Sequence, residues 1–151
     1  METNKHQNTA ALIHLSTLSQ YFIPFGNFIF PLILWNINKH KSEYVDQQGK
    51  QAVNFQLSLF LYALILCLIS LPILFFTVLK NLPMEAILNG NEIGIEHFHI
   101  QNLTGMAILA GVAIFMVIMI KVIEFCLIIY ATVRTSNGEV FKYPVTIPFI
   151  K

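Results

Sequence analysis

Three apolar stretches, Ala10 to Ile37, Ala52 to Leu79 and Leu103 to Val133, dominate the chain, and each exceeds the roughly 20 residues that cross a bilayer core. Runs of this length need lipid around them. Hydrophobic residues make up 56% and charged residues 11% of the 151, whereas a soluble domain is about a quarter charged. The expectation is an all-α integral membrane protein, a single multi-pass domain over residues 1–151 with no room for a large extramembrane enzyme. A net charge of +1 argues against a nucleic-acid footprint. Cys67 and Cys126 both lie in apolar runs, so neither a disulfide nor a zinc site is suggested. No run has the short apolar core and cleavage site of a signal peptide, and nothing is expected to be removed.

The first stretch, 10–37, carries Pro24, Gly26, Asn27 and Pro31 at its middle, so one straight helix is not expected. Each half, of about 12 residues, reaches only ~18 Å. The halves either stack as one kinked span or fold back as a re-entrant hairpin shielded by protein. The second helix should begin after Ser42, with Glu43 and Asp46 at the favourable end of its dipole. Its length to Leu79, near 55 Å, exceeds one bilayer, so a bend is expected at Gly49, leaving an interfacial helix with Tyr44 as anchor. Pro72 should kink the far half. The third stretch spans with tilt to spare.

Lysine and arginine set the orientation. The 38–51 loop holds Lys39, Lys41 and Lys50, the 134–151 tail holds Arg134, Lys142 and Lys151, and the 80–102 loop holds Lys80 beside Glu85, Glu92 and Glu96. Loop 38–51 and the tail are therefore expected in the cytoplasm, and loop 80–102 outside. A kinked first span would put the N-terminus outside; a hairpin would return it to the cytoplasm.

Lys121 and Glu124 are the sharpest polar feature, three apart on one face near the middle of the third span. Charges at that depth must pair and face protein or water. They read either as a packing ion pair or as a proton or ion relay. Asn54, Ser58 and Tyr62 form a polar stripe on the second helix, expected to face a partner helix, with Gln56 off the stripe. Ala107 and Gly111 have the spacing that permits close helix approach. His14 is expected to be an interior polar residue, and His97 and His99 offer too few ligands for a metal site. No nucleophile with an adjacent base and no phosphate-binding glycine loop is present, so no catalytic residue, cofactor or small-molecule substrate is assigned.

Three strings, IPFGNFIFPLILW, VDQQGKQAVNFQLS and NGEVFKYPVTIPFI, resemble small prokaryotic membrane proteins of the Tic20-like superfamily, named for a chloroplast protein-import component. Gly49, Asn54, Phe55 and Gln56, then Gly138, Tyr143 and Pro144, match the motif positions. The resemblance implies a bacterial inner-membrane protein with a cytoplasmic tail and a part in a protein-conducting assembly. Taken together, the residues point to a noncatalytic membrane subunit whose partners are the bilayer and other membrane proteins or itself. The alternative is a small transporter or channel using Lys121 and Glu124. The tail, broken by Pro144 and Pro148, is expected to lie extended against the region around Tyr44 and Gly49.

Overall fold

The structure, a computed structural model, describes residues 2–81 and 100–151. Among them all regular structure is helical: α1 (Glu2–Ser16), a 3-10 turn (Thr17–Tyr21), α2 (Gly26–Asn38), α3 (Glu43–Asn81) and α4 (Ile100–Ser136). Residues 139–151 follow as an irregular tail. The chain forms two compact units, one of Met1–Ala63 with Lys121–Lys151 and one of Leu64–Ile120.

In the first unit, hydroxyl groups end α1. Ser16, Thr17 and Ser19 donate back to the carbonyls of Ile13, His14 and Ser16 at 2.6–2.7 Å. Such bonds compete with the α-helical pattern, and the chain tightens into a 3-10 turn. It then reverses through 22–25, with Phe22 and Ile23 both donating to the Ser19 carbonyl and Phe25 in the left-handed region at φ 61°. Gly26 makes the reversal possible. A Cβ there would lie 2.6 Å from Ser19 Oγ and 2.8 Å from the Ser19 backbone, closer than any side chain tolerates.

α1 and α2 pack on each other, and Lys5, His6 and Thr9 near the start of α1 share a cavity with Asn38 at the end of α2 and Lys41 just beyond it. Both ends of 10–37 therefore lie together, as in a hairpin and not a kinked span. Among the described residues, two helical stretches, Glu43–Ile73 and Gly111–Ser136, are long and apolar enough to cross a membrane. The expected three spans are thus corrected to two. Helices of 15 and 13 residues reach only about 20 Å each, and folding back prevents their lengths from adding. In both candidate spans only 11% of the apolar window is buried. A soluble core helix would be covered; these fit a membrane.

α3 continues through Gly49 as one helix, so the expected interfacial helix is not a separate element. Gly49 serves packing. The Trp35 ring of α2 occupies the place of its missing Cβ, with Trp35 Cγ at 2.6 Å. Trp35 Nε1 donates to Asp46 Oδ1 at 2.9 Å, and the Lys39 ammonium lies 5.6 Å from the ring centroid. Ile13, Val45 and Ala52 are buried against Leu34 and Trp35, which seats the hairpin on α3. A second core joins Phe55, Ile128, Ala131 and Tyr143.

In the second unit, described side chains such as Leu68, Leu71, Ile108 and Phe115 are exposed. Open space surrounds the position a Cβ would take at Gly111; the side chain of its expected packing mate Ala107 lies outside the description, as do residues 82–99 of the 80–102 loop, with Glu85, Glu92, Glu96, His97 and His99.

Candidate functional site

α4 ends on Gly138, whose φ of 84° suits glycine. Gly138 N–H donates to Thr135 O and Glu139 N–H to Arg134 O, both at 3.1 Å. These paired bonds close the last turn in a Schellman arrangement. Tyr44 of α3 reinforces the end: its hydroxyl lies 2.9 Å from both Thr135 O and Glu139 O. Tyr44 is therefore tied to the end of α4.

The tail then runs along α3. An irregular backbone beside an apolar helix has N–H and C=O groups that no secondary structure satisfies. The polar stripe supplies the missing partners. Asn54 Nδ2 donates to Ile150 O at 3.0 Å while Ile150 N–H donates to Asn54 Oδ1 at 2.9 Å. Ser58 Oγ accepts from Ile147 N–H, and the Tyr62 hydroxyl donates to Val145 O, each at 2.8 Å. The stripe thus faces the chain's own tail. Partner positions along α3 advance to Tyr62 at Val145 and return to Asn54 at Ile150, so the tail doubles back. The return is made at Pro144-Val145, where Val145 has φ 58°.

Deeper in the unit, His14 and Gln48 are fully buried. His14 Nδ1 lies 2.9 Å from Tyr143 Oη. Gln48 satisfies its surroundings when its amide nitrogen donates to His14 Nε2 and Phe141 O, both 3.2 Å away, and its oxygen accepts from Phe141 N–H at 3.3 Å. In that orientation His14 carries its proton on Nδ1 and donates to Tyr143. Burial lowers the His14 pKa from 6.5 to about 4. Burial first, and then the negative charge of Glu124, push the Tyr143 phenol upward. Both groups are held neutral. Phe55 stacks on Tyr143 with centroids 4.0 Å apart and planes 5° apart, and Phe141 meets Tyr143 edge-on at 5.0 Å.

Glu124 is buried and Lys121 half exposed; Lys121 Nζ donates to Glu124 Oε2 at 2.7 Å. Gln20, from the hairpin turn, donates to the other oxygen at 2.9 Å. Gln56 Oε1 accepts from Asn27 Nδ2 at 2.8 Å, joining α3 to α2. Among the described residues, no three His, Cys, Asp or Glu side chains gather to hold a metal.

All seven motif positions fall within this unit: Gly49 at Trp35, Asn54 at Ile150, Phe55 and Tyr143 in one stack, Gln56 at Asn27, Gly138 at the end of α4 and Pro144 at the turn of the tail. Sequence reasoning had no sign that His14 meets Tyr143, since the pair is 129 residues apart. The nearest signal was a histidine inside an otherwise apolar run.

Residues 5–150 match the model of the magnetosome magnetite crystal formation protein family. This overturns the Tic20-like reading and the protein-import role that came with it. The motif positions that carried the resemblance, Gly49, Asn54, Phe55, Gln56, Gly138, Tyr143 and Pro144, all lie within residues 5–150 of that match. No curated protein and no solved structure matches the chain.

Proposed function

Because the chain belongs to the magnetosome magnetite crystal formation protein family, we propose that it is a noncatalytic helical component of the magnetosome membrane that supports crystal growth as a scaffold. The observation that carries this reading is the consumption of the polar stripe by the tail. Asn54, Ser58 and Tyr62 make four hydrogen bonds to backbone groups of residues 145–150. A lining for a permeating solute would keep such groups available; here they fix a fold.

The excess of Lys and Arg in 38–51 and 134–151 supports a cytoplasmic location for those segments, with the 80–102 loop facing the magnetosome interior. Its partners on this reading are lipid and other membrane proteins or a second copy. Transport through Lys121 and Glu124 has less support, because Glu124 is engaged by Lys121 and Gln20.

The test is complementation in a magnetosome-forming bacterium lacking this gene, with crystal dimensions measured by electron microscopy. The scaffold reading expects altered crystals in the deletion strain, restoration by the wild-type chain and by Glu124→Gln, and no restoration by Asn54→Leu. Unchanged crystals in the deletion strain would remove the proposed role. A correctly localised Glu124→Gln chain that fails to restore them would favour transport.

A further inference from the structure

A cavity of about 330 Å³ opens between the start of α1 and the connection from α2 to α3, lined by Lys5, His6, Thr9, Asn38, Lys41 and Val45. Two ammonium groups and an imidazole stand around it, and no carboxylate is in the lining. Lys41 Nζ is held at the wall by Asn38 Oδ1 at 2.8 Å. Thr9 turns its hydroxyl to the Lys5 carbonyl. Among the described residues, Lys50, Lys121 and Arg134 have ion-pair partners, whereas Lys5 and Lys41 have none. Asp46, next to the lining residue Val45, is already engaged by Lys50 and Trp35. Positive charge concentrated around a concave space and left uncompensated attracts an anion.

The depth of the cavity identifies the anion's chemistry. From Lys5 to the end of α1 at Ser16 is about 17 Å, and the five-residue 3-10 turn that follows adds up to about 10 Å before Phe22. Phe22 and Phe25, at the hairpin turn, are 87% and 68% exposed, an apolar tip suited to hydrocarbon. The Gln20 to Glu124 bond sets this tip beside α4 close to the middle of the 26-residue candidate span Gly111–Ser136. A tip at the midplane puts the cavity about 20–25 Å away, which is the depth of one leaflet including its headgroups.

We propose that the cavity binds a phosphate-bearing anion through Lys5, His6 and Lys41, drawn from the phospholipid headgroups of the leaflet that the hairpin enters. The hairpin then acts as a half-bilayer anchor, apolar at its tip and clamped on a headgroup at its base. Free phosphate shares the same chemistry and is the competing source.

Native mass spectrometry of the full chain, with phosphatidylglycerol titrated into detergent, measures the affinity. Replacing both lysines, Lys5→Gln with Lys41→Gln, is expected to weaken phosphatidylglycerol binding about thirtyfold. The paired Lys5→Arg and Lys41→Arg substitutions, and Lys142→Gln away from the cavity, should retain it. A second titration uses inorganic phosphate alone. No displacement of lipid by millimolar phosphate supports the headgroup source. Displacement at that concentration keeps the anion site and overturns the lipid assignment. Equal lipid affinity in the wild type and the double glutamine variant, both with unchanged circular dichroism, would overturn the site itself.

Discussion

Asn54 and Ile150, 96 positions apart, exchange both hydrogen bonds of a peptide pairing: the amide side chain on α3 takes the place of a neighbouring strand for the last turn of the tail. Gln48 does the same for Phe141. Two carboxamides spaced along one helix therefore satisfy an irregular segment that has no ladder of its own.

Asn54→Leu should destabilise the protein by about 2–4 kcal/mol, because a leucine fills the space and leaves both Ile150 backbone groups unpaired. Thermal unfolding in detergent measures the loss. Ser58→Ala, which removes one acceptor, should cost about half as much.

Gly49→Ala should cost about 1–3 kcal/mol by forcing Trp35 out of contact with α3. Trp35→Leu in the same chain should return part of that loss, since it removes the ring that the new methyl group meets. The coupling is read from a double-mutant cycle of unfolding midpoints.

Acid should weaken the fold through His14. Its pKa is about 4 in the folded protein against an ordinary 6.5, so the unfolded chain binds more protons between these values. The His14 contribution is therefore intact above pH 6.5 and declines as the pH falls toward 4. At pH 5 the loss is about 2 kcal/mol. His14→Gln should flatten the unfolding midpoint over pH 5 to 7 relative to the wild type.

Some of this architecture was legible in the chain. The apolar lengths of α3 and α4 announce themselves because lipid requires an unbroken run, and the Asn54, Ser58, Tyr62 spacing shows a polar face because helical periodicity is local. The partner of that face was not legible. It is the peptide backbone of residues 145–150, and backbone groups leave no mark in a sequence. For the same reason Tyr44 read as an interfacial anchor, when its bonds go to the carbonyls of Thr135 and Glu139.

The break at Pro24 and Gly26 was visible, but its direction was decided by how closely Gly26 approaches Ser19 across the turn, a packing distance that residue types alone do not specify. Gly49 illustrates the same ambiguity from the other side. A glycine marks either a bend or a close neighbour, and only the position of Trp35 distinguishes them.

Glu124→Gln should lower stability by about 1–2 kcal/mol, by leaving the Lys121 ammonium without its counter-charge. Adding Lys121→Met should recover most of it. A cycle with no coupling between the two positions would mean that the pair does not form in the folded protein.

Amide hydrogen exchange at Ile147 and Ile150 in lipid nanodiscs reads whether the polar stripe docks the tail on α3. Both N–H groups are committed to side-chain acceptors, Ser58 Oγ and Asn54 Oδ1. Slow exchange is expected at both residues in the wild type, with Ile150 released by Asn54→Leu and Ile147 by Ser58→Ala. Exchange at the rate of an unstructured peptide in the wild type, unaltered by either substitution, would contradict that docking.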